Sequence, residues 1–436
     1  MMPYFEEMKL KDTVQRLLSY ASNKSGLVND VVISDKYSDE KYLLGDLPTI
    51  YCASTRVKSK FCNITGGGVS RSKEISMIRA VGECLERYSA YRSNKLPLYG
   101  TVGEMNLKGK CFSPKDLSQF SEKQFNENFL FDKFESNDNL YWEESIDLTN
   151  GSKVYLPAYK VYLNYNRKKE KKFYDHSIST GLAFHLNKDE AILSAIHEKI
   201  ERDCFSISWF AKRPGKKIKY DIDNPHLNEL LSICNDKGLK VHSFDIALDI
   251  DTYTVMTIIE NNNYKFPIIV TAAAAHLDPV KAVVKSIEEA IQTYYLAVYK
   301  IITENNGNEF KLEKEQISDL DEHVCYYLNN DKVRAFNFYF NNNEIINLSE
   351  LRNKANGTLD EQLKKIIESF KENGLPLLVT NLSSKDFVRE GFYVYKVNVP
   401  NFMDLNVSYN ARYLGNERLN TFLKGSKIND NPHPFP

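Results

Sequence analysis

Ser194-Ala195-Ile196-His197-Glu198-Lys199-Ile200-Glu201-Arg202 has two counterparts in the same chain. They are Arg79-Ala80-Val81-Gly82-Glu83-Cys84-Leu85-Glu86-Arg87 and Lys285-Ser286-Ile287-Glu288-Glu289-Ala290-Ile291-Gln292-Thr293. In each, an acid is followed three residues later by a second polar group: Glu198/Glu201, Glu83/Glu86 and Glu289/Gln292. The later two copies align upstream without gaps, with Phe184-His185-Leu186-Asn187 over Ala275-His276-Leu277-Asp278. Residues three apart share a helix face, so each copy presents a polar claw on one side. Like charges at that spacing destabilise an isolated helix by roughly 0.2–0.5 kcal/mol. Their repetition suggests that something cationic gathers the acids.

Working outward, each claw helix is expected after a strand or a glycine turn. The helices are predicted over 73–91, 188–209 and 279–299, the last with Pro279 in its first turn. Alternating or continuous Val, Ile and Thr predict strands over 239–245, 252–259, 266–273, 375–381 and 392–399. Asn63-Ile64-Thr65-Gly66-Gly67-Gly68 reads as a glycine turn, residues 109–152 as loops or insertions, and residues 5–21 as an N-terminal helix. The whole reads as α/β. Two regions are expected: 1–59 as N-terminal helix and extension, and 60–436 as the domain that carries the three claws and a proline-rich tail.

The chain has 436 residues, 42% hydrophobic and 26% charged, which supplies ample core. Its formal net charge of −1 gives no reason to expect nucleic acid as a partner. Seven scattered cysteines contain no C-x-x-C pair, so neither a zinc site nor a disulfide framework is expected. Met1 to Ala21 carries six charged side chains, Glu6, Glu7, Lys9, Lys11, Asp12 and Arg16, and no apolar centre, unlike a signal peptide. The longest apolar run, 267–275, is too short to span a bilayer. A cytoplasmic protein without a membrane partner is expected.

Collected together, Glu83, Glu86, Glu198, Glu201 and Glu289 would repel one another unless a hard divalent cation sat among them. Arg87 and Arg202 suit phosphate oxygens, because a guanidinium matches them bidentately. Ser194 lies one turn before Glu198. A single helix of this kind is most simply a solvated face opposite an apolar stripe; the recurrence argues otherwise.

These residues resemble the YcaO family of ATP-dependent peptide-backbone-modifying enzymes. The family motif S-x-x-x-E-x-x-E-R is matched in full by Ser194, Glu198, Glu201 and Arg202, and partly by Glu83, Glu86 and Arg87. Glu289 and Gln292 match the E-x-x-Q of the third helix, and Leu414-Gly415-Asn416-Glu417-Arg418-Leu419 resembles a late segment. The resemblance implies an α/β fold with three acidic helices related by an internal repeat, and ATP and Mg2+ as cofactors. It implies Glu83, Glu86, Glu198, Glu201 and Glu289 for the metal, and Ser194, Arg87, Arg202 and Gln292 for ATP. The implied reaction is a cyclodehydration. A Cys, Ser or Thr side chain of a ribosomally made precursor peptide attacks a backbone carbonyl, and the resulting oxygen is phosphorylated. Phosphate then leaves to give thiazoline or oxazoline.

The ending Pro432-His433-Pro434-Phe435-Pro436 resembles the rigid arm of azoline-forming members, placing Pro432, Pro434 and Pro436 at the peptide site. The implied partners are the precursor peptide, an E1-like or leader-peptide-recognition protein, and a flavin dehydrogenase that aromatises the rings. A homodimer is the oligomer considered. Three positions depart from the family pattern. Arg79 replaces a serine, Gly67 stands where relatives have lysine, and Tyr294 stands where relatives often have arginine. Arg79 is expected to supply the positive charge missing at the other two. The rival readings are thioamide formation and a non-catalytic scaffold.

Overall fold

The structure is a computed structural model. It describes residues 98–436 except 128 and 165–168, and before them 51–58, 63–70 and 72–91, with residues 12, 15–17, 19–21, 27, 28 and 30–34. The N-terminal helix expected over 5–21 lies largely outside the described residues.

In chain order, β1 (Asp30–Ser34), β2 (Tyr51–Lys58) and β3 (Asn63–Ser70) precede α1 (Lys73–Tyr91). Next come β4 (Leu98–Gly100), β5 (Lys110–Cys111), β6 (Leu140–Asp147) and β7 (Ser152–Pro157), then β8 (Leu182–His185) and α2 (Lys188–Phe210). β9 (Lys216–Lys219), α3 (Pro225–Asp236), β10 (Lys240–Asp245), β11 (Tyr253–Asn261) and β12 (Ile268–His276) lead to α4 (Pro279–Thr303). α5 (Leu320–Tyr326), β13 (Ile345–Asn347), β14 (Leu378–Asn381) and β15 (Tyr393–Asn398) follow. Three sheets result among the described residues. One is β1-β2-β3; one is β12-β11-β10-β9-β13; and the third is β5-β7-β6-β14-β15-β8 with β4 on β6. The α/β class is as expected. The boundary expected at residue 59 falls between β2 and β3, which pair antiparallel from Tyr51↔Ser70 to Lys58↔Asn63.

Helix α2 is the centre. Seventeen of its 23 residues are buried, so it is covered all round rather than presenting one solvated face. Phe205, Trp209 and Phe210 pack with β10–β12 on one side, and Ala191, Ile192 and Ile196 share that core with Val379, Tyr395 and Val397 of β14 and β15. Helix α4 covers the far face of β11 and β12 through Val283, Ile287 and Ile291. The solvated-face reading therefore fails for α2.

Two sequence expectations are corrected. Gly66, Gly67 and Gly68 form no turn; they lie within β3. A Cβ on Gly66 would stand 2.3 Å from the Ala80 carbonyl, and one on Gly68 2.1 Å from that of Ser76. These glycines let α1 lie directly on the strand, as glycine in a strand interior often does. Residues 140–157 are not loop but the antiparallel pair β6–β7. Buried Glu143 and Asp147 break its apolar alternation. Asp147 belongs there because its carboxylate accepts from the amides of Thr149 and Leu377.

This close approach is testable. Gly68→Ala is expected to lose about 1–3 kcal/mol, the usual range for forcing a methyl into a filled space. Gly67→Ala, whose added carbon meets nothing nearer than a Glu83 oxygen at 3.7 Å, should be tolerated. Guanidinium denaturation midpoints that fall equally for both would refute the packing account.

Candidate active site

Two residues separate each claw helix from a preceding strand: α1 follows β3, α2 follows β8 and α4 follows β12. Side-chain caps fix those starts. Asn187 Oδ1 accepts from the amides of Asp189 and Glu190, and Asp278 Oδ1 from those of Val280 and Lys281. Ser72 Oγ accepts from the Ile75 amide at 3.3 Å. The first acid then lies ten residues beyond the first helical residue in all three (73 to 83, 188 to 198, 279 to 289). Equal depth on three neighbouring helices brings the acids to one cleft.

Their electrostatics record the crowding. The Glu86 carboxyl is pushed well above its ordinary value by burial, then by Glu198 and Glu83, although it accepts from the Phe184 amide at 3.0 Å. Burial raises Glu198, opposed by Arg202, Lys396, Lys285 and the Gly181 amide. Burial raises Glu201 to about 8, with Glu289 and Glu198 adding to it and Arg202 and Lys285 opposing. Glu83 accepts from the Gly67 amide at 2.5 Å and pairs with Arg87 at 2.6 Å, and Arg87 also donates to the Thr65 carbonyl. Arg202 stands 3.7 Å from Glu198 and 3.5 Å from Glu201, and Lys285 3.5 Å from Glu289. Five carboxylates thus face three cations, a surplus of two negative charges when all five are ionised. A hard divalent ion suits that donor set. Among the described residues no three His, Cys, Asp or Glu side chains already stand at metal-binding spacing, because the basic side chains sit between the acids. Ser194 is exposed four residues before Glu198.

Beside the claws lies a cavity of about 570 Å³. Gly67, Gly68 and Arg79 form one wall; His276, Lys281, Lys285, Glu289 and Gln292 form the other. Arg79 reaches across to Glu288 at 3.6 Å, and His226 holds the same carboxylate at 3.1 Å. Tyr294 does not join them. It is 1% exposed and receives the Asn261 amide at 2.6 Å in the core.

The C-terminal arm is buried from Pro432 to Phe435. Four consecutive carbonyls each receive a side-chain donor: Asn431 from Trp209 Nε1, Pro432 from the Tyr327 hydroxyl, His433 from His323 Nδ1 and Pro434 from the Thr271 hydroxyl. His433 stacks on His323 at 3.7 Å and donates from Nε2 to the Asn406 carbonyl. Phe435 stacks on Phe205 at 3.7 Å, and the Arg202 guanidinium lies over that Phe205 ring at 5.4 Å. The arm therefore ends next to the second claw.

Several buried charged groups went unread in the sequence. Lys199 of α2 clusters with Lys160, Asp175, Asp404 and Tyr413, and Lys396 of β15 is buried as well. Arg418 is bonded to Asp203 and Asp249. A lysine inside an otherwise apolar segment, such as Lys396 in Tyr-Val-Tyr-Lys-Val-Asn-Val, was the available signal.

A cleft of acidic helices beside a cavity of about 570 Å³ lined by Arg79, Lys281 and Lys285 defines a metal–nucleotide class of site. The family model described as YcaO cyclodehydratase, ATP- and Mg2+-binding, matches residues 67–403, and the chain belongs to that family. ATP and Mg2+ are accordingly its cofactors. The fold resembles a heterocyclase in complex with substrate and cofactor (TM-score 0.76, 18% identity, 98% of this chain and 57% of that one). It also resembles YcaO from Methanopyrus kandleri bound with AMPPCP and Mg2+ (0.65, 18%, 92% and 93%) and a chain of the E. coli microcin synthetase McbBCD complex with pro-MccB17 bound (0.64, 16%, 95% and 98%). Among curated sequences, an uncharacterized protein of Methanothermobacter thermautotrophicus is 25% identical over 242 residues, 54% of this chain and 59% of the relative. An uncharacterized protein in the tfuA 3′ region of Rhizobium leguminosarum bv. trifolii is 25% identical over 168 residues, 36% and 39%. The chain thus matches 59% and 39% of those relatives' lengths. No helix among the described residues is long and apolar enough to cross a membrane.

The shifted groups predict a pH profile. Glu201 (about 8, ordinarily 4.5) and Asp203 (about 6, ordinarily 3.8) hold protons in the folded chain that the unfolded chain has released. Stability of the metal-free protein therefore falls as pH rises from about 4 to 8. Lys396, pushed down to about 7 from 10.5, works the other way above about 7, because the unfolded chain then binds the extra proton. A shallow minimum of the thermal midpoint between about pH 7 and 8 is expected, relieved by Mg2+. A midpoint that climbs steadily from pH 5 to 8 without metal would contradict these assignments.

Proposed function

We propose that this chain is an ATP-dependent cyclodehydratase that converts Cys, Ser or Thr residues of a ribosomally made precursor peptide to thiazoline or oxazoline. The observation that carries the reading is the proline-ended arm, laid through Phe435 and Phe205 against Arg202 of the second claw. In this reading Glu83, Glu86, Glu198, Glu201 and Glu289 hold Mg2+, which would neutralise phosphate charge. Ser194, Arg87, Arg202 and Gln292 hold ATP, and Arg79 adds charge at the wall that Gly67 leaves bare. Pro432, Pro434 and Pro436 shape the peptide site.

The chemistry needs little else from the protein. A thiol or hydroxyl adds to the neighbouring carbonyl, and the new oxygen would leave only as hydroxide, a poor leaving group. Transfer of a phosphoryl group to that oxygen makes it a good one. Such transfer is achieved mainly by positioning and charge neutralisation, which is what convergent arginines and acids supply. A partner of E1-like or leader-recognition type would deliver the peptide. Similarity to a chain of a synthetase complex with its pro-peptide bound is in keeping with that. A flavin-dependent dehydrogenase would act later on the rings.

Mass spectrometry of a precursor peptide co-expressed with this chain and its partner tests the reading. Loss of one or more waters is expected, abolished by Glu198→Ala and by removal of residues 432–436. Exchange of oxygen for sulfur would favour thioamide formation instead. An unmodified peptide, with ATP bound but not hydrolysed, would leave a scaffold as the function.

A further inference from the structure

His276 is the last residue of β12, and the two residues that follow it are held from several directions. Asp278 Oδ1 caps α4, its Oδ2 accepts from Asn353 Nδ2 at 2.9 Å, and the Leu277 carbonyl accepts from the Lys354 amide at 2.9 Å. The Asp278 amide donates to His276 Nδ1 at 2.8 Å. A ring nitrogen that accepts carries no proton, so the neutral imidazole bears its proton on Nε2. Among the described residues Nε2 has no hydrogen-bond partner, and it is open to solvent. Burial, then the nearby Lys281, pushes the ring down to about 4, so it is neutral around pH 7.

This ring lines the cavity beside the claws. It packs against the ring of His197 on α2, with centroids 5.1 Å apart and planes at 35°. No hydrogen bond joins the two rings, and His197 Nε2 is buried without a partner. The contact therefore orients His276 without occupying its donor. On the same wall Lys285 pairs with Glu289 at 3.5 Å, whereas Lys281, one turn earlier, has no ion pair among the described residues. Opposite, Arg79 and His226 already hold Glu288. An uncommitted ammonium and an uncommitted N–H thus face one space. The turn alone does not call for imidazole, since Asn or Asp at 276 would accept the same amide from a shorter side chain.

We propose that His276 is a nucleotide-binding residue, donating its Nε2–H to a phosphate oxygen that Lys281 draws to the same wall. The inference rests on the ATP reading of this site given above. A phosphate oxygen is a charged acceptor, and hydrogen bonds to such acceptors are about twice as strong as neutral ones. The two groups divide the work. A lysine ammonium is a point charge with three rotatable donors and sets little geometry, whereas a ring fixed at Nδ1 sets the direction of one bond. A peptide carbonyl is the other oxygen that could take this N–H, but it would bring no charge for Lys281 to neutralise.

The test is calorimetric binding of AMPPCP and of inorganic tripolyphosphate, each with Mg2+, to the full chain, with a thermal melt of each variant. His276→Asn is the informative change, because its Oδ1 can still accept the Asp278 amide while the projecting donor is gone. It should melt like the parent and weaken both ligands by the same factor, about tenfold, the scale of one hydrogen bond to a charged group. His276→Gln, which carries an N–H about as far from the backbone, should recover part of the loss. Parent-like binding of both ligands by His276→Asn would overturn the inference, and if peptide modification were lost at the same time the donor would belong to the peptide carbonyl. A loss confined to AMPPCP would place His276 at the base or sugar and overturn it equally. Should His276→Asn not fold, His276→Ala is judged by the same outcomes. A parent protein that binds neither ligand would sink the nucleotide reading of the cavity itself, a failure distinct from that of His276.

Discussion

Mutual repulsion among carboxylates drawn from three helices governs the centre of this molecule. Acids confined to a partly desolvated cleft cannot all ionise without counter-charge. The consequences spread outward. Arg87, Arg202 and Lys285 pair with the acids, amides from β3 and β8 donate to them, and Glu201 is driven to about 8. Two of the strands that precede a claw helix, β3 and β8, therefore have a second task, because a backbone amide of each donates to an acid on a claw helix. Gly67 serves Glu83, and Phe184 serves Glu86.

The arm solves a different problem. Its prolines offer no N–H, so buried carbonyls have no ladder partner and must be met by side chains. Trp209, Tyr327, His323 and Thr271 meet four in succession, and they come from α2, the residue after α5, α5, and β12. Burial keeps both stacked histidines neutral, His323 being pushed down to about 4. A neutral His433 can donate from Nε2 and accept the Phe435 amide at Nδ1 at once. The arm is thus built into the core rather than laid on the surface.

What the sequence disclosed follows from range. The acids were legible because i, i+3 spacing is a local property, and α1 runs over the expected 73–91. The proline ending was legible as composition. The role of Gly66 and Gly68 was not, because only the approach of α1 shows why a side chain is forbidden there. Strand β6 was hidden by Glu143 and Asp147, whose burial depends on partners far along the chain. Lys396 was hidden for the same reason, since its carbonyl partners lie 216 and 218 residues away.

The three departures from the family pattern share one physical outcome. Tyr294 turns into the core, and Gly67 leaves the β3 wall of the cavity without a side chain. Positive charge at this end comes instead from the helices, through Arg79 on α1 and Lys281 and Lys285 on α4. Arg79 is half exposed and its 3.6 Å pair with Glu288 is of the kind worth under about 1 kcal/mol. His226 holds the same carboxylate at 3.1 Å. The β3 wall of the cavity is thus bare glycine, and the cationic side chains that line the space, Arg79, Lys281 and Lys285, are all carried on helices.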